Sequence, residues 1–180
     1  YIYLDVEERD RFATGSFEQL IVQHQHFNTT CKSSQVRMNL NFNHPIIELI
    51  WMVKRKAQVA VNNHFNFSGK YGRDPIKKVS LQLNNLARFG AREGRWFRLV
   101  QPYQHHQNIP DSFTYCYSFA LHPEEAQPSG SANFSRIDSV ELIMELQEEL
   151  IDEEVLIAVY ARSWNVLRFR EGLAGVAFAN

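Results

Sequence analysis

Four aromatic residues at alternate positions, Phe113, Tyr115, Tyr117 and Phe119, place the tightest constraint on what this chain can become. Side chains alternate across a strand, so the run forms one aromatic face, with Thr114, Cys116 and Ser118 opposite. The same period of two recurs in Val36, Met38, Leu40 and Phe42, set against Arg37, Asn39 and Asn41. Val79, Leu81 and Leu83 repeat it. Asn43-His44-Pro45 supplies a turn before a continuous apolar strand from Ile46 to Val53, broken only by Glu48. Phe17 to Phe27 is apolar through Ile21 and Val22 and then polar. Val155 to Ala161 reads as a strand, Trp164 to Phe169 as another after a break at Ser163, and Gly172 to Phe178 closes the chain. Many short strands at close spacing point to a sandwich or barrel.

Helix signals are few. Ala91 to Leu99 can form a short helix, limited by Gly90 and Gly94. Ser139 to Glu154 is ambiguous, because Val140, Leu142, Met144 and Leu146 alternate while Leu142, Leu146 and Leu150 sit at helical spacing. Asn62 to Asp74 is a loop and His122 to Arg136 a long polar connection. Tyr1 to Ala13, with Glu7, Glu8, Arg9, Asp10 and Arg11 in a row, reads as a lead-in segment.

Composition narrows the function classes. Aromatics make up 13% of the 180 residues, which favours pleated, half-buried surfaces. A net charge of -1 disfavours direct nucleic-acid binding, which draws on a basic surface. The lone basic cluster, Lys54-Arg55-Lys56, reads as a solvated strand end. Cys31 and Cys116 form neither a disulfide framework nor a CxxC site and fit a reducing compartment. No apolar run reaches the ~18 residues of a membrane span, so membrane insertion is not expected.

Few residues carry chemistry. His24-Gln25-His26 puts two imidazoles on one face of a strand, as cupin-type metal sites do, but no carboxylate follows at the family spacing. His105 and His106 are adjacent, diverge on a strand, and read as partners for buried backbone groups. Glu124-Glu125 lies in a Pro-flanked loop without a partnered His, and Glu148, Glu149, Asp152, Glu153 and Glu154 read as a solvated acidic loop. The triplets at Asn28, Asn66 and Asn133 matter only in a secretory setting. Neither an enzyme nor a cofactor is expected.

Two segments carry a resemblance. Phe97-Arg98-Leu99-Val100-Gln101-Pro102-Tyr103-Gln104-His105-His106-Gln107-Asn108-Ile109-Pro110 is one. Tyr117 to Glu125, continuing through Gln127-Pro128-Ser129-Gly130 to Asn133-Phe134-Ser135-Arg136-Ile137-Asp138, is the other. With Trp164 to Arg168, Gly172 to Gly175, and Tyr1 to Asp5 with Arg11-Phe12-Ala13, they resemble the major capsid proteins of nucleocytoplasmic large DNA viruses. The resemblance implies an all-β, antiparallel, eight-stranded jelly-roll sandwich with long loops and at most one or two short helices. Residues 1–15 would lead in from an upstream N-terminal jelly roll, and 16–180 would form the C-terminal one.

It also implies a strand over Ser139 to Leu146 and an acidic connection over Gln147 to Glu154. Val36, Met38, Leu40, Trp51, Val79, Leu81, Tyr115, Tyr117, Leu156 and Val159 are the expected core. The implied function is structural: a homotrimer that forms pseudo-hexagonal capsomers tiling an icosahedral virion shell, assembled in the host cytoplasm. Neighbouring capsomers and minor capsid proteins are the implied partners. Candidate subunit contacts are Gln101, Tyr103, Gln104, His105, His106, Asn108, Gln127, Ser129, Asn133 and Arg136. The alternative for these loops is that they only complete the edges of their own sandwich. Two other functions stay open, a metalloenzyme using His24 and His26 and a carbohydrate-binding jelly roll with an exposed aromatic such as Trp96.

Overall fold

The computed structural model describes residues 4–179. The opening Tyr1-Ile2-Tyr3 of the resemblance lies outside the described residues. Eight principal strands form two antiparallel layers. The first contains β1 (Ser16–Cys31), β3 (Pro45–Arg55), β6 (Thr114–Ser118) and β9 (Val155–Arg170), in the order β1-β9-β3-β6. The second contains β2 (Gln35–Asn39), β4 (Ile76–Leu83), β5 (Leu86–Glu93) and β8 (Val140–Leu146), in the order β2-β8-β4-β5. Short β7 (Ala132–Asn133) joins β3, and β10 (Leu173–Val176) joins β9. The pairs β1–β9, β2–β8, β3–β6 and β4–β5 nest inside one another, as one long hairpin does when rolled into a sandwich. This is the expected jelly roll.

Helical segments outnumber the one or two expected, though all are short. They include α1 (Val6–Thr14), α2 (Lys56–Ala60) and α3 (Gln101–His105), the last preceded by a π turn over Trp96–Val100, and single 3-10 turns at Lys70–Gly72, Phe134–Arg136 and Glu148–Leu150. The helix foreseen over Ala91 to Leu99 starts later, because β5 keeps pairing with β4 out to Glu93 opposite Lys78. It begins at Gly94, where a Cβ would stand 2.5 Å from the Ile76 carbonyl oxygen. Only glycine lets the chain turn there.

Two other boundaries move. Ser163 does not break a strand: β9 runs through it, and the buried hydroxyl is satisfied by Gln25 Nε2 and the Gln23 carbonyl. The polar residues after Phe27 also stay in β1, because every residue from Ser16 to Cys31 has a partner on β9. Ser139 to Leu146 is strand, as the resemblance implied. Lying between β2 and β4, β8 gains ladder bonds on both edges, and these outweigh local helix propensity.

The core is aromatic along β6. Trp51 stacks on Tyr115 at 6.3 Å and meets Phe97 at 5.2 Å; Phe89 bridges Phe97 and Tyr117, and Phe119 reaches Phe134. Val36, Met38, Leu40, Trp51, Val79, Leu81, Tyr115 and Val159 are buried as expected. Tyr117 is half-buried but packs against this core. Leu156 is on the outer face instead, since Val155 and Ile157 already point inward and the pleat alternates.

The lead-in is held to the sandwich. Asp5 caps α1 by accepting from Glu8 N–H, and Phe12 sits edge-on to Phe17 at 4.7 Å and Phe169 at 5.4 Å. The Gly172 N–H donates to the Phe12 carbonyl, so chain start and chain end meet.

Candidate functional site

Strand β6 is an edge strand, and its free side is covered by the π turn over Trp96–Val100 and by α3. Gln101 Oε1 accepts from Ser118 N–H at 3.0 Å, replacing a missing strand partner. Beneath this cover lies Glu48, fully buried on the outer face of β3. An isolated carboxylate there would be prohibitive, and its oxygens are accordingly paired. Arg162 Nη1, from β9, donates to Glu48 Oε1 at 2.5 Å. His106 Nε2 stands 2.9 Å from Oε2, at ion-pair distance but out of line for a straight hydrogen bond.

The other ring nitrogen, Nδ1, meets Glu124 Oε1 at 3.0 Å, and the Gln107 N–H donates to Glu124 Oε2. His105 Nδ1 lies 2.9 Å from the Leu121 carbonyl oxygen. Residues 104–107 and 122–125 thereby close around a cleft of about 190 Å³. Two stretches that the sequence singled out separately form a single face.

The charges are mutually adjusted. Burial alone would raise Glu48, yet His106 and Arg162 together hold its carboxyl below the usual range. Contact with the Cys116 sulfur and with Glu48, helped by Glu124, pushes His106 up to about 10 against the effect of burial. Burial raises the Cys116 thiol despite the adjacent imidazole, so it is not an activated nucleophile. Although Cys, His and Glu converge here, they make a structural ionic cluster.

The expected contact residues divide by role. Gln101 is buried against β6, His105 and His106 are half-buried in the bonds above, and Ser129 Oγ ties back to His122 N–H and carbonyl. Asn133 Oδ1 accepts from Ser135 N–H. Tyr103, Gln104, Asn108, Gln127 and Arg136 are exposed. Tyr103 is 79% exposed and joins Leu99 and Val100 in an outward apolar stripe at helical spacing. That stripe was not singled out from sequence, and neither were Glu48 and Arg162 as partners. Glu124 was read as lacking a histidine partner, and His106 is that partner.

The two alternatives gain little. His24 and His26 share the exposed face of β1, opposite Arg162 and Tyr160, and among the described residues no third ligand joins them. Trp96 is half-buried, with the Arg92 guanidinium 4.4 Å from its ring centre and Phe97 packed edge-on. The Arg92 guanidinium therefore already stacks on the ring.

A family model described as large eukaryotic DNA virus major capsid protein matches residues 8–175. The chain is similar to the major capsid protein of Pyramimonas orientalis virus, 38% identical over 203 residues, with 100% of the chain and 48% of that protein aligned. It is likewise similar to that of Phaeocystis pouchetii virus, 32% identical over 270 residues, with 100% of the chain and 52% of the relative aligned. Among solved structures, the PBCV-1 virus capsid quasi-atomic model superposes with a TM-score of 0.83 at 29% identity, covering 100% of this chain and 56% of that one. The chain spans about half the length of the curated relatives it matches.

Proposed function

Because the chain belongs to the large eukaryotic DNA virus major capsid protein family, we propose that it is a shell-building unit and performs no catalysis. It serves as the second jelly roll of a capsid subunit, following an N-terminal one, with residues 1–15 as the lead-in between them. The subunit forms a homotrimer, and trimers tile an icosahedral shell with neighbouring capsomers and minor capsid proteins. It contacts neither genome nor membrane interior directly, and assembly takes place in the host cytoplasm. The observation that carries this reading is the match of the whole chain, in sequence and in fold, to viral capsid proteins.

Within that role, the face built from residues 99–108 and 121–136 is the surface offered to a neighbouring subunit. A threefold contact is heterologous, so this face meets a different patch on the next copy. Tyr103, Gln104, Asn108, Gln127 and Arg136 make the contact, with Leu99 and Val100 as apolar support. Gln101, His105, His106, Ser129 and Asn133 hold the face in place. The outward Tyr103, flanked by Leu99 and Val100, supports this division, because an exposed tyrosine in an apolar setting is a frequent energetic anchor of a contact.

The test is Tyr103→Asp in the intact capsid subunit, with sedimentation velocity and thermal melting measured side by side. Trimers should dissociate, and the melting temperature should stay within about 2 °C of the parent when both are diluted to the point where each is monomeric. Trimers of unchanged stability would assign the contact to another surface.

A further inference from the structure

The His106 side chain touches the sandwich wall and the outer loop at the same time. One ring nitrogen faces Glu48 at 2.9 Å and the other faces Glu124 at 3.0 Å. A neutral imidazole has a single N–H and turns a lone pair toward its second partner. Set between two carboxylates, that lone pair would face negative charge at contact distance. The geometry therefore selects the doubly protonated ring. The residue also caps the carboxyl end of α3, where its backbone N–H donates to the Pro102 carbonyl.

We propose that His106 is a base-sensitive latch: as imidazolium it fastens the face of residues 103–108 and 121–125 to the sandwich, and its deprotonation frees that face while the sandwich stays folded. Besides His106, the face is held by His105 against the Leu121 carbonyl, by the Gln107 N–H on Glu124, by Ser129 Oγ on His122, and by Gln101, whose bond reaches β6. The sandwich has its own core, and none of that core depends on His106.

Charged and titratable groups face the ring from every side. Glu48 comes from β3, Arg162 from β9 behind Glu48, Cys116 from β6, and Glu124 from the outer loop, with His105, His122 and Glu125 around the cleft. Arg162 keeps Glu48 ionised after the imidazole loses its proton. The carboxylates then face an uncharged ring, and the 122–125 loop loses its cationic anchor. A midpoint of about 10 for His106 sets the pH at which this happens. That loss of the face would weaken subunit contact rests on the assembly role proposed above.

Two measurements on the full chain test the latch. The first is an NMR titration of the His106 ring, which should stay protonated through pH 9; titration near the ordinary 6.5 would overturn the proposal. The second is amide exchange, corrected for its intrinsic pH dependence. Protection over 103–108 and 121–125 should fall about tenfold or more between pH 8 and 10.5, with the paired strands unchanged. In His106→Gln, which keeps the ring's size and one donor, these segments should exchange fast already at pH 8 and show no further step. Uniform loss of protection across the sandwich, or a pH step surviving in His106→Gln, would overturn the latch. Sizing of the intact subunit at both pH values separates the two readings. If the face opens while the trimer persists, the latch stands and the assignment of this face to subunit contact falls.

Discussion

Replacing Glu48 with alanine removes the carboxylate that two cations share. Arg162 and His106 would then face each other across a hole, with neither able to swing out, since their side chains are 23% and 15% exposed. Removing one member of a buried ion cluster costs about 3–5 kcal/mol; most of it comes from Arg162 left without a counterion, since His106 keeps Glu124. At roughly 2–4 °C per kcal/mol for a domain of this size, the melting temperature should drop by about 10 °C. Glu48→Gln keeps the volume and an acceptor for Arg162, and about half of that loss is expected.

The pH dependence identifies the cause. Glu48 is held below its ordinary 4.5, so its contribution is complete above that value and disappears as pH falls through the folded one. His106 is held above its ordinary 6.5, so its contribution is complete below that value and disappears as pH rises toward about 10. The stability gap between parent and Glu48→Ala should therefore be widest between pH 5 and 6.5 and narrow on either side. Urea unfolding followed by tryptophan fluorescence from pH 4 to 10 measures it. A gap that is flat across this range, or below about 1 kcal/mol throughout, would refute the ionic account.

Three further outcomes are expected. Phe12→Ala removes two edge-on ring contacts and should release α1 at a cost of about 1–3 kcal/mol, seen as faster amide exchange over 6–14 with the sheets unaffected. Leu81→Ala, at a fully buried site, should lower stability by about 2–5 kcal/mol in urea without changing the slope of unfolding. Gly130→Ala should lower the melting temperature more than Gly72→Ala. Both glycines have positive φ, but a Cβ at Gly130 would meet the Phe119 carbonyl oxygen at 2.7 Å, while one at Gly72 meets nothing within 4 Å.

Strand identity was legible in the sequence wherever one face was apolar and the other polar. That is why β2, β4 and β6 lie where alternation put them. The errors fall where a polar residue is buried with a partner. Ser163 looked like a break because its bonds to β1 come from residues 138 and 140 positions away. Glu48 looked like an interruption in a greasy run for the same reason, its partners being Arg162 and His106. A lone carboxylate within a buried strand signals a buried cation elsewhere, but nothing local says which one. In the loops of 101–110 and 123–138 some candidate side chains point inward and others outward, and period and composition do not separate the two.

The nested strand order also governs how the chain reaches this state. Ser16 at the start of β1 pairs with Arg170 at the end of β9, so the outermost pair joins segments nearly a chain length apart. Ribosomes extend a chain at roughly 5–20 residues per second, so β1 waits about ten seconds or more for its partner. Throughout that interval β1 offers an unpaired edge with a single charged residue, Glu18, and apolar Leu20, Ile21 and Val22. Such an edge is an open invitation to mispair with other nascent copies. Yield of folded protein should thus be limited by how well β1 is shielded before synthesis ends, and slower translation or scarce chaperone should reduce it even where final stability is unchanged.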